Sequence, residues 1–212
     1  GNDDDGRSHA APDEYGVDVA GDSTAGGGAT TIRAGSGPVA WNHPRTPWGV
    51  QNLRGNLWEW SPGLRIVDSE IQIIADNNAA EASTDLSAGG PWQAVDAATG
   101  TLVAPGAAGT VRYATSGTAD GTLVCSSSAA FSTMSAYGVS TAALQLLKRL
   151  CAMQPGAPIE QDGFYINTSG ERLPRRGGRW SDGSRAGVFA LALSDDRGSR
   201  NAAFGFRPAF VI

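Results

Sequence analysis

Apolar and polar residues alternate most regularly in the stretch GLRIVDSEIQIIADN, residues 63–77. A leucine or an isoleucine stands at every second position on both sides of the dipeptide Asp68-Ser69. Period-two alternation interrupted by turn-forming residues is typical of a β-hairpin. The pattern therefore predicts two antiparallel strands joined by a tight turn.

One segment, STAALQLLKRLCAM (residues 140–153), has helical periodicity. Leu144, Leu147 and Cys151 share a face, Ser140 is suited to the N-cap, and two basic residues near the end complement the helix dipole. Pro155-Gly156 is expected to stop the helix.

The other apolar runs are short. They predict strands at 102–103, 111–113, 123–124, 164–166, 188–193 and 206–211, with a turn at Ser169-Gly170. Residues 80–135 are rich in small residues, and we interpret them as an insertion carrying one or two small hairpins. Four tryptophans crowd a stretch of about twenty residues and are expected to share a core: Trp41, Trp48, Trp58 and Trp60.

Composition adds limits to this picture. The 212 residues include 29 glycines and only 17% charged residues, which indicates a loop-rich globular protein. The net charge of −5 argues against general nucleic-acid or membrane-surface binding. Residues 1–37 are expected to form a flexible arm, in which Asp3 to Asp5 is a solvated acidic run. The chain does not begin with Met, so we expect a trimmed or processed fragment.

Two cysteines are too few for a structural zinc site. Cys125 and Cys151 either pair as a disulfide or remain buried thiols, and their spacing does not decide between these alternatives.

Two separated motifs carry a family resemblance. GNLWEW (55–60) and GFRPAF (205–210) together resemble the hallmarks of the formylglycine-generating-enzyme type of C-type lectin fold. Between them, GLRIVDSEIQIIADNNAA, SGERLP and GGRWSDGSRAGVFALAL resemble the variable proteins of diversity-generating retroelements. The resemblance spans residues 37–212. It implies an α+β C-type lectin fold with small antiparallel sheets and one or two helices, in a domain covering residues 38–212.

In that family, reverse transcription randomises adenines at the 3′ end of the gene, chiefly in AAC codons. Such codons become NNC, which never encodes Lys, Glu, Gln, Met or Trp. None of these five types occurs from Ser181 to Asn201. The positions that match the family's variable sites lie within about 177–205, and each carries a residue that NNC encodes: Arg179, Ser181, Asp182, Arg185, Ala192, Ser194, Asp195, Ser199, Asn201 and Ala203.

The resemblance implies that these ten side chains are exposed on one face, because stability of about 5–15 kcal/mol does not survive random substitutions in a core. Arg179 and Arg185 are the expected energetic anchors of a complex. Trp58, Trp60, Trp180 and Phe206 are expected to hold the framework. Glu59 and Arg207, which stand among apolar residues, are expected to neutralise one another.

The implied function is non-catalytic binding of a protein or glycan on a host or target cell, without cofactor or metal. A viral tail fibre or a cell surface would display the protein, and a trimer would add avidity. Two other functions fit the sequence less well. A formylglycine-generating oxidase needs reactive C-terminal cysteines, and residues 152–212 contain none. A calcium-dependent lectin is only faintly suggested by WSD at 180–182, and His43 is interpreted as a loop residue rather than a catalytic one.

Overall fold

The structure is a computed structural model of the chain, and it describes residues 7–8, 11–17, 19, 31–156 and 161–206. These residues form sixteen strands, one α-helix and four short 3₁₀ helices, which confirms the α+β class. Two strands near the N-terminus, β1 (Arg7–Ser8) and β2 (Ala11–Tyr15), pair with each other. Most of the expected N-terminal arm, including Asp3 to Asp5, lies outside the described residues. The 3₁₀ helices are Val39–Trp41, Ala75–Ala80, Phe131–Thr133 and Gly183–Arg185.

The larger sheet has eight strands, and most come from the first half of the domain. Its main path runs β11-β9-β8-β5-β4-β13, with β6 pairing to β5 and β7 pairing to β6. The strands are β4 (Leu64–Val67), β5 (Glu70–Ile74), β6 (Trp92–Val95), β7 (Leu102–Val103), β8 (Arg112–Ala114), β9 (Thr122–Val124), β11 (Ser135–Tyr137) and β13 (Glu171–Arg172). Most of residues 80–135 are thus built into the sheet of the predicted hairpin, since β6 and β8 both pair with β5.

The predicted hairpin is confirmed. Strands β4 and β5 pair antiparallel, and Asp68 and Ser69 turn the chain with positive φ angles of 45° and 71°. Its polar residues Arg65, Glu70 and Gln72 are buried together with the apolar ones. They avoid the cost of burial by pairing: Gln72 donates to Glu70 (2.6 Å) and accepts from Arg65 Nε (2.8 Å).

The smaller sheet has six strands in the order β10-β12-β15-β14-β3-β16. The strands are β3 (Trp58–Trp60), β10 (Ala129–Ala130), β12 (Gly163–Ile166), β14 (Arg175–Arg176), β15 (Leu191–Leu193) and β16 (Phe204–Gly205). The resemblance implied antiparallel sheets, but β12 runs parallel to β15 and β16 runs parallel to β3. The strand expected at 188–193 is only its last three residues, and the one expected at 206–211 falls almost wholly outside the described residues.

The predicted helix is confirmed as α1, Thr141–Arg149. Ser140 is its N-cap, and the Ser140 hydroxyl accepts a hydrogen bond from Ala143 N. The helix ends earlier than expected: Leu150 is the C-cap, and Cys151 has a positive φ of 50° well before Pro155.

The main core lies between the two sheets and α1. Strands of both sheets contribute, as do Leu147 of α1 and Phe131. The rings of Phe131 and Phe164 stack with centroids 5.4 Å apart. This shared core makes the two sheets one packing unit.

The expectation of a single tryptophan core is wrong. Trp58 is buried, but Trp48 is 86% exposed, and Trp41 is partly buried where its indole donates to Glu14 (2.7 Å). His43 is an exposed loop residue, as expected. Both cysteines are free thiols: Cys125 is buried and Cys151 is partly buried. Within the described ranges, no helix has the length and apolar character needed to cross a bilayer.

Candidate functional site: a concavity on the outer face of the six-stranded sheet

The outer face of the six-stranded sheet, turned away from the main core, carries a concavity of about 310 Å³. We call it the outer concavity. Its lining residues are Trp58, Tyr165, Arg175, Arg179, Asp182, Ala192, Ser194, Asp195, Asn201 and Phe204. Six of these ten residues are predicted variable positions: Arg179, Asp182, Ala192, Ser194, Asp195 and Asn201.

Strand alternation explains how the floor forms. In β15, Leu191 and Leu193 belong to the main core, while Ala192 belongs to a separate small cluster with Trp58 and Ala190. Because successive side chains of a strand point to opposite faces, Ala192 faces the concavity. It lies opposite Tyr165 of β12 and Arg175 of β14 in the sheet register. These residues come from neighbouring strands and make a continuous floor.

Aromatic rings surround the guanidinium of Arg175 and complete the floor of the concavity. Its guanidinium carbon lies 3.6 Å from the ring centroid of Phe204, 5.4 Å from that of Trp60 and 5.8 Å from that of Trp58. Trp58 meets Tyr165 edge to face, with centroids 5.7 Å apart. A cation over aromatic faces is stabilised by their quadrupoles. The sheet therefore supplies a rigid floor that is aromatic with one positive charge.

Two loops form the rim. The first follows β14, and Asp182 holds it together: its carboxylate accepts from the backbone N–H (2.9 Å) and from Nε (3.2 Å) of Arg179. Arg185, farther along this loop, donates to Ser128 O, and its positive charge acts on the neighbouring Tyr165 hydroxyl. Burial raises the pKa of Tyr165, so its hydroxyl stays protonated near neutral pH. Both arginines expected to be anchors already have intramolecular partners.

The second rim loop, between β15 and β16, is held in place by hydrogen bonds and ion pairs with residues of both sheets. Asp195 O accepts from Leu173 N (3.0 Å), and the Asp195 carboxylate pairs with Arg175. Arg197 forms two hydrogen bonds with Glu171 (2.9 and 3.1 Å) and a third with Leu86 O (2.7 Å). Leu173, Arg175, Arg197 and Glu171 are all outside the predicted variable set, so framework residues set most of the course of this loop.

The remaining predicted positions lie beside the concavity or behind it. Ser181 is exposed, and Ser199 is partly buried where its hydroxyl donates to Asp196 (3.0 Å). The expectation of exposure is wrong for two alanines: Ala192 is 2% exposed, and Ala203 is 4% exposed. Ala192 is covered because it is the floor of the concavity, whereas Ala203 packs behind the rim and bonds Trp58 N through its carbonyl (2.9 Å).

The expected structural residues have mixed outcomes. Trp58 and Trp60 flank the floor, and Trp180 is partly buried with its backbone N–H bonded to Asn56 O (3.1 Å). Phe206 is 78% exposed, so its expected role as a buried anchor is wrong. Arg207 lies outside the described residues, and its pairing with Glu59 stays a prediction.

Sequence reasoning missed Arg175 and Tyr165. Tyr165 stands between Phe164 and Ile166, both buried, so strict alternation in a strand already placed it on the other face. Arg175 is adjacent to Arg176 in a run of basic residues, and no periodicity distinguishes the two. In the structure they face opposite sides: Arg176 points away from the concavity and donates to Leu150 O (3.2 Å) at the end of α1.

A second cleft, of about 410 Å³, is more apolar and is lined by Trp60, Leu64, Trp92 and Phe206 among others. It contains none of the ten predicted positions. Among the described residues, no group of three or more His, Cys, Asp or Glu side chains has the arrangement of a metal site.

Comparison of the chain with protein-family models finds no match, and comparison with curated proteins finds none either. The case for a function therefore rests on the residues and geometry of the outer concavity.

Proposed function

We propose that this chain is a non-catalytic ligand-binding protein with a C-type lectin fold, whose C-terminal surface is diversified by a retroelement. The observation that carries the proposal is the convergence of six predicted variable positions on one concavity. Those positions were chosen from sequence motifs alone and span more than twenty residues of the chain. A set without a common role would have no reason to share one cavity.

The packing supports the same proposal. Residues of the framework strands fill the main core, and the predicted variable residues lie on the other face of the sheet or in its rim loops. Substitutions at the exposed members of this set cost little stability compared with core substitutions. A protein that changes its surface repeatedly requires this separation.

The chemistry of the concavity favours binding over catalysis. Both of its carboxylates are already paired with arginines, Asp182 with Arg179 and Asp195 with Arg175. The oxidase alternative requires an activated thiolate. Burial raises the pKa of Cys125, which lowers its thiolate fraction, and neither cysteine lines the outer concavity.

The mixed charges, hydroxyls and aromatic floor suit a polar ligand on a cell surface. Such interfaces, like those of antibodies, combine rigid aromatic contact with adaptable hydrogen bonding. We place the protein on a virion tail or a cell surface, where it would recognise a protein or glycan of a host or target cell.

Sequencing the DNA beside the gene tests diversification. The proposal predicts a second, nearly identical copy of the segment encoding residues 177–205, next to a reverse-transcriptase gene. The two copies should differ at adenines, in codons of the ten predicted positions. Differences spread equally over the codons of Leu191, Leu193 and Phe204, or no second copy at all, would contradict the proposal.

A binding screen on arrayed glycans and purified surface proteins tests the site itself. A hit should weaken at least tenfold when Arg179 and Asn201 are both changed to Ala, because both line the concavity. The matched control, Arg45→Ala plus Asn77→Ala, changes exposed residues elsewhere and should leave the hit unaltered. Equal loss in both double variants would reject the concavity as the binding site.

A further inference from the structure

Arg175 is a buried cation beneath the outer concavity. It is 4% exposed, and aromatic rings cover its guanidinium. Burial lowers its pKa, and the charge of Asp195 acts in the opposite direction. Among the described residues, Arg175 Nε has no hydrogen-bond acceptor. The guanidinium therefore depends on one carboxylate for compensation and keeps one donor unused.

Asp195 supplies that carboxylate from a loop whose backbone is held independently. The Asp195 carbonyl is bonded to Leu173 N, and Arg197 ties the next turn of the loop to Glu171 and Leu86. Shortening the Asp195 side chain removes none of these bonds. The loop should stay in place while a carboxylate-sized space opens above Arg175.

The neighbouring charges do not replace Asp195. Asp182 and Arg179 also influence Arg175 electrostatically, with opposite signs. The Asp182 carboxylate is already bonded to both the backbone and the side chain of Arg179. The rings of Trp58, Trp60 and Phe204, which lie over the guanidinium, provide no hydrogen-bond acceptor oxygen.

From this geometry we infer that Arg175 is a constant anion-binding element of the concavity, and that residue 195 decides whether a ligand can use it. Asp195 occupies the position with its own carboxylate. A smaller uncharged residue there opens a site for the carboxylate group of a ligand, because guanidinium and carboxylate match as two parallel hydrogen bonds.

This inference rests on the proposed function only where it takes position 195 as variable. Asp is the one acidic residue that an NNC codon encodes, so any other outcome of diversification at 195 removes the internal carboxylate. Residue 195 would thus switch the concavity between a neutral floor and one that selects anionic ligands.

Chemical rescue tests the inference. Asp195→Ala removes a group the size of formate, and Asp195→Gly removes one the size of acetate. Each variant should melt several degrees below wild type, because Arg175 loses its compensating charge. The matching anion should raise the melting temperature with the logarithm of one plus the ratio of anion concentration to Kd, by about 3–6 °C at ten times its Kd for a chain of this size. Chloride at equal ionic strength should not restore stability.

Matched controls separate this site from general anion effects. Asp195→Asn keeps the side-chain volume, so formate should find no space. Asp196→Ala removes an exposed carboxylate that bonds only local groups, Gly198 N and the Ser199 hydroxyl. Neither control should respond to formate more than to chloride. An equal formate response in either control would overturn the inference.

A direct readout follows the guanidinium. In ¹⁵N NMR spectra of Asp195→Ala, the Arg175 Nε–H resonance should move with formate concentration, with the same Kd as the melting shift. Glucuronate and N-acetylaspartate amide carry the carboxylate on a sugar and on a peptide side chain. Binding of either compound supports the inference, and the tighter binder shows whether the site prefers a carboxylate carried on a sugar or on a peptide. A stationary resonance and an unchanged melting temperature in formate would overturn it.

If Asp195→Ala folds poorly, its refolding yield becomes the measurement. Formate should raise the yield above that in chloride, and equal yields would overturn the inference. This outcome is independent of the test of diversification. Rescue by formate without a second copy of the gene segment would support the anion site and contradict the proposed function. A second copy without rescue would support the proposed function and contradict the anion site.

Discussion

At the residue scale, the most informative feature is a chain of polar side chains that runs from an exposed arginine of the rim loop to buried residues of the eight-stranded sheet. Glu171 lies between Arg197 of the rim loop and Arg65 of β4, at 2.9 Å from each. Arg65 continues through Gln72 to Glu70, which also accepts from Thr110 (2.7 Å). Burial alone would raise the pKa of Glu70, but hydrogen bonds from Thr110, Gln72 and Gly106 N outweigh it and keep that pKa low. The rim of the outer concavity is thereby fastened to the other sheet.

Acid should loosen this connection. Hydrogen bonding from Arg197 is the main reason that the pKa of Glu171 is lower than its ordinary value of 4.5. A depressed pKa contributes stability that is complete above the unfolded-state value and is lost as the pH falls through the folded-state value. Glu171→Gln should therefore be less stable than wild type at pH 7, and the difference in free energy of unfolding should shrink below about pH 4.5.

Urea denaturation at pH 7 and at pH 3.5 measures this difference. Glu81→Gln is the control, since Glu81 is exposed, and it should change stability by less than about 0.5 kcal/mol at neutral pH. A Glu171→Gln deficit that stays constant across the two pH values would contradict the ionic role of Glu171.

The sequence could not reveal these partners. Alternation in residues 63–77 located the hairpin and its turn, because those features depend on neighbours in the chain. The burial of Arg65 depends on Glu171, more than one hundred residues away, and no local pattern encodes that contact. The role of Arg175 could not be predicted for the same reason, since its partner Asp195 lies twenty residues farther along the chain.

At the element scale, α1 shows which boundaries local signals determine. Its beginning was predicted correctly because Ser140 supplies an acceptor to an otherwise unpaired backbone N–H. Its end was predicted too late. Leu150 N bonds back to the helix, but Cys151 leaves the helical conformation, and Ala152 O receives the Tyr113 hydroxyl in the core. Because this tertiary contact comes directly after the last turn, Pro155 is not needed to stop the helix.

The N-cap gives a test at this scale. Ser140→Ala should reduce the free energy of unfolding by about 1 kcal/mol, because Ala143 N loses its acceptor. Thr141→Ala, at the adjacent exposed helical position, should cost nothing, since Ala has the higher helix propensity. Urea denaturation compares the two variants, and equal losses would contradict the capping role.

Strand β15 gives a second test, because it separates framework from surface within three residues. Leu193→Ala should cost about 2–5 kcal/mol, since it leaves a cavity in the main core. Ala192→Ser places its hydroxyl at the concavity and should cost less than about 1 kcal/mol. Similar losses for both variants in urea denaturation would mean that Ala192 does not face the outer concavity.

At the scale of the whole molecule, two sheets share one core, and the outer face of the smaller sheet carries the outer concavity. The α+β class and seven of the sixteen strands among the described residues could be predicted from short apolar runs. The parallel pairings of β12 with β15 and of β16 with β3 could not, because pairing joins segments far apart in sequence. The predicted variable positions come together because those pairings bring the two rim loops to the same side of the smaller sheet.

The central claim is that this framework tolerates varied side chains at the outer concavity. Two displayed libraries test it most directly, each with four NNC codons. The first varies Arg179, Asp182, Ser194 and Asn201, and the second varies Phe164, Ile166, Leu191 and Leu193. The measured quantity is the fraction of clones that resist protease. We predict that most clones of the first library and few of the second resist cleavage, whereas equal fractions would contradict the account.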